Sequence, residues 1–234
     1  MFSHITDRAR ARGMVVNEAK TALLCITDNV STKSHAFMRA GSEKIRSSRT
    51  LKCLGFTFAG DPTPNVHVRQ LIARVRSRTW SIRKLKRAGF NSEELLKFYK
   101  SNIRSVAEYA APAYHSMIPE YLADELERQQ TLSLKNIFGV GKSAALMREE
   151  AKISTLKDRR EAATLTFAKK TEKNPHFAWW FEKRKGRITR RRYRPIIEAN
   201  ARTNRHRDSP INYMKRLLND QYEAAEKEEG SLEA

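Results

Sequence analysis

Acidic side chains are the first candidates for chemistry, because two-metal phosphoryl-transfer sites hold their ions about 4 Å apart with clustered carboxylates. Adjacent acidic residues occur at 93–94, 124–125, 149–150 and 228–229, and helix caps or solvated helix faces account for the first, second and fourth. The aspartates are isolated from one another: Asp7, Asp28, Asp61, Asp124, Asp158, Asp208 and Asp220. These carboxylates do not predict a complete metal site within the chain.

A second stretch that could do chemistry is the GVGKS sequence at 139–143, which resembles the end of a phosphate-binding loop. The loop needs an earlier glycine where this chain has Asn136, and no predicted strand precedes it, so the stretch indicates a helix stop. No local signature of a nucleophile surrounds any serine or cysteine. There is no Cys-x-x-Cys pair and the six histidines are scattered, so no zinc site is predicted.

Positive charge is the strongest chemical signal. The formal net charge is +20, and residues 151–220 hold 20 basic against 7 acidic side chains. Such a balance predicts a polyanionic partner, and nucleic acid is favoured over a membrane surface because no lipid-facing helix is evident. A basic protein without such a partner is the alternative.

Basic residues concentrate in two places. Arg69, Arg76 and Arg83 recur every seven residues on a predicted helix, where they line a nucleic-acid groove or form a solvated face. The run KRKGRITRRRYR at 183–194 holds eight basic residues in twelve, including Arg190, Arg191 and Arg192. The run is typical of both a polyanion contact and a nuclear localisation signal. For the aromatic residues at 177–181, a core or docking role is favoured over base stacking.

Cys25 and Cys53 are the only cysteines, and both lie in apolar strand patterns, so we expect them to be buried and reduced. The N-terminal residues lack the apolar core of a signal peptide. No apolar run approaches the roughly 20 residues that a membrane span needs. We therefore expect a soluble intracellular protein, nuclear or cytoplasmic, without a membrane partner.

The elements that must position these side chains begin with a helix at 2–12, ended by Gly13. Apolar runs predict strands at 23–27 and 51–58, the second containing Gly55, with a weak strand near 36–38. A sheet this thin is expected to expose apolar surface. The GDPTPN stretch at 60–65 is the clearest break in the sequence.

After that break the hydrophobic period becomes helical. A long helix is predicted over 68–87, and Asn91 and Glu94 predict a capping box for the next helix. The inward side of that next helix is predicted to hold Leu95, Phe98, Tyr99, Asn102 and Val106. A third helix is predicted from Pro119 to Gly139, with further helices at 158–172 and 212–229, and the first three are expected to form a compact bundle.

Several of these motifs together resemble a known family. The NEAKT stretch at 17–21 and the LKCLGF stretch at 51–56 resemble the end of the palm and the primer grip of non-LTR (LINE-like) retrotransposon reverse transcriptases. LLKFY at 95–99, EYAAPAY at 108–114, and 126–139 resemble that family's thumb domain. The five motifs occur in the family's order over 14–139.

The resemblance implies RNA-directed DNA polymerase ancestry, but the family's catalytic aspartates, including its Tyr-x-Asp-Asp hairpin, have no match in this sequence. It also implies that Lys20 corresponds to a lysine proposed to protonate pyrophosphate. Asn17 belongs to the same motif, and Lys52 and Gly55 correspond to the primer-end support. The intact family uses magnesium, and no cofactor is expected in this chain alone.

The sequence therefore predicts an α+β fold, mostly α, with three parts: a partial palm sheet (1–60), a helical thumb bundle (61–140) and a basic helical extension (141–234). We expect a fragment that binds RNA or DNA and is inactive as a polymerase by itself. Two alternatives stay open. The chain is completed by an upstream fingers and palm portion into an active enzyme, or it is a domesticated protein-interaction module.

Overall fold

The computed structural model describes residues 2–27, 36–40, 43–184 and 193–232. It is 62% helical with 10% in strands, in two small sheets, which confirms an α+β fold that is mostly α. The chain divides into two compact units, Met1–His67 and Val68–Ala234. Within the described residues no helix is both long enough and apolar enough to cross a membrane.

The first unit opens with helix α1 (Phe2–Arg10). Gly13 follows with a φ of +71°, and the amide of Met14 bonds back to the carbonyl of Ala9, as at a glycine-terminated helix. The strands are β1 (Leu23–Leu24), β2 (Phe37–Ala40), β3 (Glu43–Ser48), β4 (Thr50–Cys53) and β5 (Phe56–Ala59). They form a three-stranded sheet in the order β1-β3-β2 and a separate β4–β5 hairpin.

Strand β3 is the strand of this unit that the sequence did not predict, because its residues EKIRSS are mostly polar. It pairs antiparallel with β2 and parallel with β1. Its serines supply extra bonds to the neighbouring segment: Ser47 Oγ accepts from the Cys25 amide at 3.0 Å, and Ser48 Oγ donates to the Leu23 carbonyl at 3.0 Å. Side-chain hydrogen bonds therefore replace the apolar contacts that usually mark a strand.

Two further expectations for this unit are wrong. The predicted strand at 23–27 is only two residues long. Neither cysteine is buried, since Cys25 is half-buried and Cys53 is exposed. The expectation of exposed apolar strand surface is confirmed, with Phe37 at 50% and Phe58 at 42% exposure.

The second unit is helical. Its helices are α2 (Asn65–Arg87), which begins within the first unit, α3 (Ser92–Phe98), α4 (Ser105–Ala107), α5 (Ala111–Tyr114), α6 (Glu120–Phe138), α7 (Ala144–Ala151), α8 (Leu156–Glu172), α9 (Asn204–Arg207) and α10 (Pro210–Leu232). Helices α5 and α10 both pack on α8, and α6 packs on α3, α7 and α8. Ser143 caps α7 and Gly139 ends α6 at a φ of +97°, so the GVGKS stretch is a helix stop, as predicted.

The capping box at Asn91 is confirmed. Asn91 Oδ1 accepts from the Glu94 amide at 3.0 Å, and Glu94 Oε2 accepts from the Asn91 amide at 2.9 Å. The predicted inward face of this helix is partly wrong, because a π-helical segment (Tyr99–Arg104) joins α3 to α4. Its wider turn gives a four-residue spacing of buried side chains, and Asn102 is exposed. The buried residues are Leu95, Tyr99, Ile103 and Ala107.

The last part of the chain forms its own apolar cluster around Ala168, Phe181, Met214 and Leu218. Asn219 fixes the segment before α9 by bonding both backbone groups of Ile196 at 2.9 Å. The aromatic stretch at 177–181 contributes Phe181 to the core, and Trp180 packs against it, as favoured from the sequence. Trp179 lies outside the cluster at 75% exposure.

Candidate nucleic-acid interface

Helix α2 exposes many basic side chains and no acidic one. Its apolar stripe is buried through Val68, Leu71, Val75 and Ile82, and the opposite side of the helix is exposed to solvent. No acidic residue occurs in α2. All of its basic side chains are exposed: Arg69, Arg74, Arg76, Arg78, Arg83, Lys84, Lys86 and Arg87.

Helix α6 lies alongside α2 and runs in the same direction. The contacts between the two helices show this, since residue numbers increase together on both sides from one contact to the next. A buried hydrogen bond of 2.9 Å between the hydroxyls of Thr79 and Ser133 fixes the register. The sequence did not predict this pairing. Thr79 is visible as a polar residue on the apolar stripe of α2, which is the signal that could have indicated a buried partner.

The three arginines predicted at seven-residue spacing all lie along the seam between α2 and α6. Arg69 donates to the Tyr121 hydroxyl at 2.9 Å and lies over its ring, 5.6 Å from the centroid. Arg83 donates to Asn136 Oδ1 at 3.1 Å. Both partners are uncharged, so these contacts orient the guanidinium groups and leave their charge uncompensated.

Arg76 is different because its partner is a carboxylate. It donates to Glu125 at 2.9 Å, and Glu125 also accepts from Arg128 at 2.7 Å and from Gln129 at 2.8 Å. The hydrogen bond from Arg128 is the largest cause that lowers the pKa of Glu125, to about 2, and the bonds from Gln129 and Arg76 add to it. Glu125 is therefore ionised at neutral pH and neutralises part of the basic surface.

The other cations of α2 contact neutral groups. Arg78 donates to the Asn102 carbonyl at 2.6 Å, and Lys86 donates to the last carbonyls of α6, at Asn136 and Ile137. Lys84 lies 4.0 Å from the ring centroid of Trp80, which is 54% exposed. Across the described part of the chain, Arg76 is the only α2 cation in a salt bridge.

Asn17 and Lys20 lie together in one turn of the first unit. Asn17 Oδ1 accepts from the Lys20 amide at 3.1 Å, and the Asn17 carbonyl accepts from the Thr21 hydroxyl at 2.9 Å. Asn17 thus caps a short 3-10 turn (Glu18–Lys20), and the Lys20 side chain is exposed. The turn explains the spacing of the NEAKT motif by local hydrogen bonding.

Lys52 and Gly55 lie in the β4–β5 hairpin, and the prediction of one strand over 51–58 is wrong. Leu54 and Gly55 form its two-residue turn with φ values of +47° and +81°. Positive φ at both central positions is the type I′ geometry that suits the twist of a hairpin. Gly55 therefore serves the turn rather than the interior of a strand, and Lys52 is exposed on β4.

Arg190, Arg191 and Arg192 lie outside the described residues. The described ends of their basic run are held by acidic partners. Lys183 contacts Glu172 at 3.1 Å, and Arg194 bonds Glu198 and Asp220 at 2.8 Å each. Sequence reasoning counted both as part of a polyanion contact, but in the structure they anchor the run to α8 and α10.

No metal centre emerges from the described ranges, since they contain no group of three His, Cys, Asp or Glu side chains that could hold an ion. Comparison with protein-family models, with curated proteins and with solved structures finds no match. The functional interpretation therefore depends on the charge and geometry of the α2 surface.

Proposed function

We propose that this chain binds nucleic acid through the exposed basic face of α2. The observation that carries the proposal is the imbalance on that helix, where eight exposed cations face one carboxylate, Glu125, in the part of the chain that is described. Uncompensated cations on a rigid helix attract phosphates over a distance, and guanidinium groups bind phosphate oxygens with matched geometry.

The dimensions of the helix suit a phosphate backbone. From Arg69 to Arg87 the axis advances roughly 27 Å at about 1.5 Å per residue. That length follows about eight phosphates of one strand at roughly 3.4 Å each. Trp80, exposed between these cations, offers a ring on which an unpaired base can stack.

The resemblance to non-LTR reverse transcriptases supports this proposal, with RNA, DNA or a duplex of the two as the ligand. We propose that the chain is a fragment of such an enzyme that retains binding and does not polymerise by itself. Its alternative is a portion that regains activity when joined to a fingers and palm portion. Primer extension by the purified chain with magnesium, on a primed RNA template, would overturn the inactive assignment.

The test of binding is fluorescence anisotropy with a labelled RNA–DNA duplex across a salt series. The variant changes Arg74, Lys84 and Arg87 to Gln. Arg74 bonds the Gln70 carbonyl and Lys84 lies over Trp80, both within α2 itself, so their loss leaves the α2–α6 seam intact. If each of the three side chains contacts one phosphate, the slope of log affinity against log salt decreases by up to about 2.7.

The matched control changes Lys169, Lys170 and Lys173 to Gln, which removes the same charge from exposed positions in and just after α8. We expect the control to keep most of the affinity and slope of the unmodified chain. An equal loss in both triple variants would show that binding uses net charge without a site. Binding that is absent or independent of salt would favour a protein-interaction module.

A further inference from the structure

Arg160 is a fully buried cation in the middle of α8. Its side chain is 0% exposed, and it lies on the buried stripe with Leu156, Thr164 and Ala168. The Nε, Nη1 and Nη2 atoms are all buried, and none has a hydrogen-bond partner among the residues that the structure describes. Nothing in the basic α2 surface explains this residue.

A buried guanidinium cannot become neutral, because arginine does not lose its proton in proteins. Leaving such a charge without a partner costs several kcal/mol. Arg160 and the carboxylate of Glu108 both act electrostatically on Tyr114. Both oxygens of that carboxylate are already bound by Arg159. A compensating negative charge is therefore needed from outside these side chains.

Two further buried groups, on a turn that packs against α8, also lack partners among the described residues. His115 is 8% exposed, its Nδ1 is buried without a hydrogen bond, and the Oγ of Ser116 is in the same condition within the described chain. The short 3-10 turn that carries them (His115–Met117) packs against α8 and α10. Burial first, and then the charges of Arg160 and Lys157, lower the pKa of His115 to about 4.

The direction of hydrogen bonding in this cluster follows the tautomer of His115. The Tyr213 hydroxyl lies 3.4 Å from His115 Nε2. When Tyr213 donates to Nε2, the neutral ring carries its proton on Nδ1, and Nδ1 becomes a donor. In that tautomer the guanidinium and the Nδ1–H can only donate, and the serine hydroxyl has a proton to donate to the same acceptor.

We propose that Arg160, His115 and Ser116 form a buried site for a small oxyanion of the phosphate or sulfate class. The anion neutralises the guanidinium and accepts from the fork of Arg160, from His115 and from Ser116. Because Arg160 is fully buried, the anion is taken up when the α5–α8–α10 region opens locally or folds. The site acts on the stability of the second unit and is separate from the exposed α2 surface.

The test is urea unfolding of the whole chain with increasing inorganic phosphate, with sodium chloride adjusted to hold ionic strength constant. Binding to the folded state alone lowers the unfolding equilibrium constant by about 100-fold when phosphate reaches 100 times its Kd. The dependence should follow a one-site curve. A response to phosphate no larger than that to chloride would overturn the proposal.

Two methionine variants separate the site from the general basic surface. Arg160→Met removes the buried charge at similar volume, and Lys169→Met removes an exposed charge from the same helix. Arg160→Met should abolish the saturable phosphate response and leave stability in chloride equal or higher, since an unpaired buried charge is lost. Lys169→Met should retain the response of the unmodified chain, and an unchanged response in Arg160→Met would contradict the site.

Ser116→Ala keeps the experiment decisive if Arg160→Met fails to fold. Loss of one hydrogen bond of about 1 kcal/mol weakens the phosphate Kd roughly fivefold. Titration of the folded chain with phosphate by calorimetry supplies the Kd and the stoichiometry, with one tight site expected. An unaltered Kd in Ser116→Ala would remove that residue from the site, and a stoichiometry of zero in the unmodified chain would overturn the proposal.

Discussion

The carboxylate of Glu125 on α6 accepts from the guanidinium of Arg76 on α2 at 2.9 Å. The same carboxylate accepts from Arg128 and Gln129, so one acidic side chain restrains two arginines at the edge of the basic surface. We therefore expect the Glu125 carboxylate to stabilise the fold and to weaken nucleic-acid binding. The bonds hold α2 to α6, while the negative charge opposes a phosphate at that position.

The first prediction is that Glu125→Gln affects stability and nucleic-acid affinity in opposite directions. Loss of the charge-assisted bonds should lower the free energy of unfolding by about 1 to 2 kcal/mol. Release of Arg76 and Arg128 should raise affinity for an RNA–DNA duplex severalfold and steepen its salt dependence. Urea unfolding and anisotropy measure the two effects on the same samples.

Glu150→Gln is the matched control for that experiment, because Glu150 pairs with Lys142 in the same unit and makes no contact with α2 among the described residues. It should change neither stability nor salt slope appreciably, since exposed pairs contribute about 1 kcal/mol at most. If Glu125→Gln weakens duplex binding, the seam is needed for binding and Glu125 is not a restraint on it.

The second prediction concerns pH and His115. Burial, together with the charges of Arg160 and Lys157, lowers the pKa of His115 to about 4, whereas the unfolded chain has the ordinary value near 6.5. Between these values the unfolded state binds more protons. The contribution of His115 to the free energy of unfolding is therefore fully present above about pH 6.5 and is lost as the pH falls toward 4. Below about pH 4 this residue causes no further loss.

The measurement for His115 is urea unfolding in chloride buffer between pH 4 and 7.5. His115 should account for up to about 3 kcal/mol of the loss across this range. His115→Gln should flatten that part of the curve, with Tyr213, which faces the ring from α10, left in place. A parallel loss of stability in the variant would assign the pH dependence to other groups.

The third prediction concerns the β4–β5 turn, where Leu54 has a φ of +47° and is 89% exposed. A leucine in this conformation is strained, whereas asparagine tolerates it. Leu54→Asn should therefore raise the free energy of unfolding of the first unit by about 0.5 to 1 kcal/mol. Gly55→Ala should lower it by about 1 kcal/mol, and hydrogen exchange of the hairpin amides measures both.

The turn of the β4–β5 hairpin was not predicted from the sequence. Apolar residues recur on both sides of Gly55, and the first turn position holds a leucine where a type I′ turn usually has Asn or Gly, so Gly55 alone did not indicate a turn. The α2 and α6 ends and the Asn91 capping box were predictable because each depends on local residues with a fixed role. Helix ends and caps could be predicted because they depend on residues that are close to them in the sequence.

The parts that failed depend on distant partners. Strand β3 is formed by pairing with β1 and β2, and its polar residues give no apolar alternation. The wider turn of the π-helical segment shifts the buried face to Ile103. A prediction that assumes about 3.6 residues per turn does not include this shift. Arg160 entered the sequence analysis only in the charge count of residues 151–220, although the four-residue spacing from Leu156 to Ala168 places it on the buried stripe of α8.

The fourth prediction compares the two basic regions named from the sequence. We expect charge reversal at Arg190, Arg191 and Arg192 to weaken RNA or DNA binding more, per charge, than reversal at Arg69 and Arg76. Arg76 is already neutralised by Glu125, so reversal at these two positions removes less available charge. Salt slopes by anisotropy give the number of phosphates that each variant no longer neutralises.

The comparison needs a control for stability, because reversal at Arg76 also places a second carboxylate beside Glu125. Arg76→Gln with Arg69→Gln removes the charges without this repulsion and should leave most of the affinity intact. Equal losses of affinity per charge in the two regions would show that the chain uses its positive charge diffusely. A larger loss from Arg69 and Arg76 would place the main phosphate contacts on the α2–α6 seam, in contact with Tyr121.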